Sequence, residues 1–281
     1  MKRTWALFAA LCLTPIAVSA SQGEPATEVA AGTHNCIELC GCLNERDLEE
    51  FLRTADVVSI EDVGSGITKP QRVTLRRDDH ECRAIFKTVD ISGIEPGYTN
   101  RLESVFTDRF TYETAAYRLD RLLQIGLVPV TVTREIDGRE GSVQLWIENA
   151  IEMQTAADNN VMIGDMDLLL QRLMLMYILD AMIYNVDRNF TNVLVRPEND
   201  DLFLIDHSRA FRVNKKLPSL KEKRDIPVPE SVARQLRTLE IERLESELGD
   251  LLSKRQIRAI DSRRKLLVTE LDARGLLPAT G

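Results

Sequence analysis

The apolar stretch at residues 168–184 is interrupted by Gln171, Arg172 and Asp180. It is too polar for a membrane span, and the pattern predicts a buried helix. Polar residues follow at once: Asn185, Asp187, Arg188, Asn189 and Asn192 crowd a short loop. Two strand-like runs, 193–195 and 202–205, flank the turn Pro197-Glu198-Asn199-Asp200, and the second run leads into Asp206. Upstream, Asn44-Glu45-Arg46-Asp47 is positioned to cap a short helix through Thr54. Strands are expected at 57–60, 72–75 and 83–88; Gly64-Ser65-Gly66 lies between the first two, and the third carries Lys87. Residues 111–124 read as an amphipathic helix with the stripe Ala115, Ala116, Leu119, Leu122 and Leu123. After Val128-Pro129-Val130, a strand pair turns at Asp137-Gly138, and its second strand, 142–147, runs into Glu148 and Asn149. Residues 215–224 are basic and loop-like. From 230 to 274, leucine and isoleucine recur at helical spacing among many charges, which predicts two or three amphipathic helices whose short charge groups form a solvated face.

The N-terminus adds a compartment to this picture. Residues 1–20 carry Lys2 and Arg3, an apolar core and then Val18-Ser19-Ala20, the order of parts in a secretory signal peptide. Export, periplasmic or secreted, is expected, and no later segment is apolar enough to span a bilayer. Residues 21–33 are small, polar and without period, so 21–45 reads as a linker that also holds a cysteine cluster. With Lys2 and Arg3 removed, the 36 basic residues fall to 34 against 44 acidic ones, a net charge of −10. Such a surface repels nucleic acid and anionic membranes. Cys36, Cys40, Cys42 and Cys82 remain after processing. Four cysteines in an exported chain suggest two disulfides with three pairings open, and Cys36-x-x-x-Cys40-x-Cys42 as a metal site is the rival reading.

Candidate chemistry lies in the polar loop and the strands around it. Asp187 and Asn192 are spaced as D-x-x-x-x-N, and Asp206 closes the hairpin. Aspartate and asparagine also make good turn residues, so the spacing alone has a structural explanation. In phosphoryl transfer, a carboxylate orients the attacking hydroxyl, while an amide oxygen and a second carboxylate suit Mg²⁺. Lys87 on its strand is placed to clamp nucleotide phosphates under the Gly64-Ser65-Gly66 turn. Glu113, in the first turn of the 111–124 helix, either serves the helix dipole or pairs with Lys87.

Asp187-Arg188-x-x-x-Asn192, followed by Leu204-Ile205-Asp206-His207-Ser208-Arg209-Ala210-Phe211, resembles the atypical kinases. These include the phosphatidylinositol 3/4-kinase group, the Golgi casein kinases of the secretory pathway, and bacterial toxin kinases. The 113–123 helix with Leu127-Val128-Pro129 is similar to the matching segment of the Golgi kinases and of the type II phosphatidylinositol 4-kinases. Residues 141–148 look like the hinge strand of the latter. The resemblance covers about 57–211 and rests on five short motifs in the required order.

That resemblance implies a two-lobed α+β protein-kinase-like fold. Its N-lobe, 46–149, would hold an antiparallel sheet with one helix, and its C-lobe, 150–281, would be mainly helical. It implies ATP as donor with Mg²⁺ or Mn²⁺, and Lys87 on the phosphates, positioned by Glu113. Asp187 becomes the catalytic acid-base residue, Asn192 and Asp206 the metal ligands, and Ile147, Glu148 and Asn149 the adenine hinge. Departures from the pattern are His207-Ser208 after Asp206, Asn189 where histidine is common, and an incomplete glycine set at Gly64. The expected acceptor is a soluble protein Ser/Thr hydroxyl. A lipid headgroup, a nucleotide-binding pseudokinase and a nucleotidyl transferase are the alternatives.

Overall fold

Asn44 starts the first helix among the described residues as the sequence predicts, its side chain accepting the Asp47 N–H at 3.0 Å. Helix α1 (Glu45–Thr54) places Leu48, Phe51 and Leu52 on one buried face through their i, i+3, i+4 spacing. The computed structural model describes residues 40, 43–64, 69–92, 107–162, 164–218 and 226–279. The expected signal peptide, most of the expected linker, Cys36, Cys42, Ser65, Gly66 and part of the basic 215–224 segment lie outside the described residues.

Strands β1 (Asp56–Asp62), β2 (Gln71–Arg77) and β3 (His80–Lys87) follow as an antiparallel meander. In β3, Cys82, Ala84 and Phe86 are buried and alternate with Arg83, Ile85 and Lys87, a period of two that sets the faces of the sheet. A short ribbon, β4 (Asp90–Ser92) with β5 (Thr107–Arg109), comes next and was not anticipated from the pattern. Helix α2 (Thr111–Leu122) then leads through Asp120, which accepts the N–H groups of Gly126, Leu127 and Val128, into β6 (Thr131–Ile136) and β7 (Arg139–Leu145). Asp137 and Gly138 both have positive φ, 51° and 71°, as a two-residue type I′ hairpin requires.

The five long strands are ordered β1-β2-β3-β7-β6. Gly141 permits the contact of β7 with β3: a Cβ there would lie 2.4 Å from the Phe86 ring and 2.5 Å from the Lys87 carbonyl. Arg134 donates to the Leu52 and Ala55 carbonyls, which ties α1 to β6. Thr114 of α2 meets Thr133 of β6 at 3.2 Å. Residues 132, 134 and 136 alternate with 131 and 133, so the two helices take opposite faces of this edge strand. A Cys40–Cys82 disulfide fastens the start of α1 to β3. This settles the partner of Cys40 and removes that thiolate from the rival metal site.

The remainder is mainly helical. A short β8 (Ile151–Glu152) and α3 (Met153–Asp158) precede the predicted buried helix, α4 (Met166–Ile183), capped by Asp165. Ile178, Leu179, Met182 and Ile183 have no accessible surface, so this helix lies within the hydrophobic core. Hairpin β9 (Val193–Arg196) and β10 (Asp201–Leu204) pairs as expected, with β8 alongside. Three helices complete the chain: α5 (Glu230–Thr238), α6 (Ile241–Leu248) and α7 (Lys254–Ala273).

One expectation needs correcting here. The charge group around residues 262–265 is not simply a solvated face, because Arg263 is fully buried and Arg264 nearly so. Arg263 donates to the Met182 carbonyl at 2.7 Å and to the carbonyls of Arg212 and Asn214. The guanidinium thereby ties the last turn of α4 to the segment after Phe211.

Candidate active site

Lys87, at the end of β3, pairs across the sheet with Ser142 of β7. Its Nζ lies 2.6 Å from Glu113 Oε1 and 2.9 Å from Asp206 Oδ1. Three predicted residues from three distant segments thus meet at one ammonium. Between the two roles left open for Glu113, its position answers for the pair: the carboxylate is 1% exposed and faces Lys87. Its Oε2 accepts the His207 backbone N–H at 3.0 Å and lies 3.3 Å from His207 Nδ1. Burial opposes charge on Lys87, yet the carboxylates of Glu113 and Asp206 outweigh it and raise the pKa above the ordinary lysine value. Burial likewise opposes charge on Glu113, and Lys87 and His207 hold its carboxyl well below the usual carboxylate range.

The polar loop is built around Arg188. Its fork binds both oxygens of Asp180 on α4, at 2.9 and 3.0 Å, while Nη1 donates to the carbonyls of Asn192 and Ile205. One guanidinium thereby fixes the loop against the end of β10. Asn185 accepts the Asp187 N–H, and Asn189, where histidine was the familiar residue, caps the 3-10 turn Phe190–Asn192 by accepting from Thr191. Asp187 is left 54% exposed, with its Oδ2 3.2 Å from Arg209 Nη1. Arg209 also binds the buried Asp108 of β5 at 3.0 Å, and the Arg109 N–H donates to the Ser208 carbonyl. Burial works against the Arg209 charge, and Asp108 and Asp187 raise its pKa.

Asp206 adopts a left-handed conformation, φ 61°, which turns its carboxylate out of the hairpin, 46% exposed. Among the described residues its Oδ2 and the Asn192 side-chain oxygen accept no hydrogen bond. One carboxylate and one amide oxygen are hard donors and fit Mg²⁺ or Mn²⁺, which complete their shells with water and phosphate. Among the described residues no group of three or more His, Cys, Asp or Glu could hold a metal by itself.

The residues expected to face a nucleotide differ in their settings. Gly64 has φ 72°, as a turn glycine does, while Ser65 and Gly66 lie outside the described residues. Ile147 is buried just past β7, and Asn149, φ 57°, turns the chain away. Glu148 directs its side chain to Arg83, so only its backbone remains for a base. Sequence reasoning quoted Arg188, Arg209 and Asp180 without giving them site roles, and it did not name Asp108. The signal for Asp180 was an acid inside an otherwise apolar helix, which needs a cationic partner.

A five-stranded antiparallel sheet followed by a mainly helical part, with Lys87, Glu113 and Asp206 meeting at one ammonium, is a kinase-like arrangement. No family model matches the sequence, and no curated protein matches it. Solved structures do resemble it. The structure of hydra Fam20 with sugar matches at 16% identity and TM-score 0.61, over 90% of this chain and 95% of that one. The Golgi casein kinase matches at 16% identity and TM-score 0.56, over 84% and 77%, and also in a form with Mn/ADP bound. The Helicobacter pylori proinflammatory kinase CtkA matches at 10% identity and TM-score 0.51, over 79% and 95%. The fold is therefore the α+β fold of the atypical kinases. Among the described residues no helix is long and apolar enough to cross a membrane.

Proposed function

We propose that this protein transfers the γ-phosphoryl group of ATP to a hydroxyl, with protein Ser/Thr as the acceptor. The observation that carries this reading is Lys87 held between Glu113 and Asp206. In the reaction the acceptor O–H bond breaks, its proton passes to an Asp187 carboxylate oxygen, and the acceptor oxygen bonds to the γ-phosphorus as ADP departs. Lys87 binds the phosphates, and Glu113 holds it in place. Asn192 and Asp206 would hold Mg²⁺ or Mn²⁺, which neutralises phosphate charge when bound. The Golgi casein kinase with Mn/ADP bound supports that pairing of metal and nucleotide. The leader-like residues 1–20 and the Cys40–Cys82 disulfide support an exported protein.

The test incubates the chain from Ser21 with γ-labelled ATP and Mg²⁺ or Mn²⁺, beside Asp187→Ala and Asp206→Ala. Protein, phosphoinositide and sugar acceptors are all offered, the last because the hydra structure was solved with sugar. Label entering protein in wild type and in neither variant supports the reading. Label entering lipid or sugar instead replaces the acceptor, and ATP binding without transfer overturns the activity.

A further inference from the structure

Gln144 is a polar residue in the middle of β7, only 5% exposed. The register pairs Lys87 with Ser142 and Ile85 with Gln144, so all four side chains share the face of the sheet that carries Lys87. Gln144 stands two residues from the Lys87 level and three before the hinge residue Ile147. On its other side it pairs with Thr131 of β6.

Its amide is oriented by a short chain of hydrogen bonds. Thr131 Oγ1 donates its one proton to the Pro129 carbonyl at 2.8 Å. That hydroxyl can then only accept from Gln144, and the donor is Nε2, at 2.9 Å. The network therefore fixes which end of the carboxamide faces which way. The same planar carbon sends Oε1 away from Thr131, and among the described residues Oε1 accepts no hydrogen bond. Oε1 is open to solvent rather than sealed inside the sheet, so a ligand that displaces its water must supply a donor in its place.

We infer that Gln144 is the base-selecting residue of the site: its Oε1 accepts from the exocyclic 6-amino group of adenine and opposes the 6-carbonyl of guanine. This rests on the nucleotide-dependent reading above. At carbon 6 the two purines differ in the sense that matters here, one presenting a donor and the other an acceptor. An acceptor held against an acceptor leaves both desolvated and unpaired, which corresponds to about a tenfold to hundredfold loss in affinity.

The test titrates the full chain with ADP, GDP and IDP in the presence of Mn²⁺, following heat of binding. IDP carries the 6-carbonyl without the 2-amino group, so it isolates the effect at carbon 6. Wild type is expected to bind ADP at least about tenfold more tightly than either GDP or IDP. Thr131→Val keeps the side-chain shape but removes the acceptor for Nε2, which frees the amide to rotate and present a donor. The ADP preference should then fall about tenfold, with GDP and IDP gaining affinity. Gln144→Leu should lower the preference by weakening ADP instead. A residue that only packs the strand would change all three affinities together. If one variant does not fold, the other carries the test. An ADP preference unchanged in a folded variant overturns the inference and leaves the kinase reading intact; failure of wild type to bind any of the three nucleotides overturns both.

Discussion

Replacing Glu113 with glutamine removes one charge from the Lys87 cluster and almost none of its volume. Lys87 is 12% exposed and Glu113 1%, so their pairing is barely screened by solvent. Removing one partner of a buried ion pair costs about 3–5 kcal/mol. Lys87 keeps a second carboxylate at 2.9 Å, but that of Asp206 is about half exposed and contributes less. The expected loss for Glu113→Gln is therefore near the lower limit, roughly 3 kcal/mol, or about 6–12 °C in Tm for a domain of this size. Lys87→Met leaves Glu113 buried with only the His207 contacts. The double variant should then cost less than the sum of the singles by about 1–3 kcal/mol. The pH dependence follows from the direction of the Glu113 shift. Its carboxyl titrates below its ordinary value of 4.5, so its stabilisation is complete above pH 4.5 and is lost as pH falls through the lower folded value. Urea denaturation from pH 8 downward should show a constant difference between wild type and Glu113→Gln that narrows only below pH 4.5. A double variant whose cost equals the sum of the singles within about 0.5 kcal/mol would falsify the coupling.

Two further outcomes follow from covalent and buried-charge features. The Cys40–Cys82 bond closes a loop with a sequence separation of 42, for which chain entropy gives about 4 kcal/mol. Dithiothreitol should lower the Tm of wild type and leave a Cys40→Ser/Cys82→Ser variant unchanged; equal melting of wild type with and without reductant argues against the bond. Burial pushes the Arg263 guanidinium down to about 10, and its partners are carbonyls at the end of α4 and after Phe211. Arg263→Lys cannot reach all three, so it should destabilise by roughly 3 kcal/mol or more in urea titration, and a loss under about 1 kcal/mol contradicts that role.

Local signals made much of the fold legible. The Asn44 cap, the type I′ Asp137-Gly138 turn, the apolar 168–184 run and the change of period at each end of α2 are written within a few residues of the elements they specify. The short ribbon of β4 and β5 was not, because three-residue strands carry too little alternation to register. Arg263 was misread for a different reason. A helix pattern reports which residues are polar, whereas the carbonyls that this guanidinium binds lie 49 to 81 residues away in sequence. Glu113 had the same difficulty: its position in the first turn suits the helix dipole, and only a lysine 26 residues earlier and a backbone amide 94 residues later separate the two roles.

The acids of this chain that sequence alone could not rank are separated by how many of their lone pairs are already used. Asp120 is fully buried and accepts three backbone N–H groups and Arg121. Asp180 accepts twice from Arg188 and once from Asn185. Asp120 uses all four of its acceptor positions and Asp180 three, so little is left in either for an incoming group. Asp187 and Asp206 each make one side-chain ion pair to a cation and keep about half their surface open. The two kinds are connected. Asp180 holds Arg188, Arg188 holds the carbonyls of Asn192 and Ile205, and the residues next to or within that grip are Asp187, Asn192 and Asp206. A heavily used acid on α4 thus sets the spacing of the more open oxygens of Asp187, Asn192 and Asp206. That division of labour needs the D-x-x-x-x-N spacing and the arginine together, and a turn that used aspartate and asparagine only for their backbone preferences would need neither.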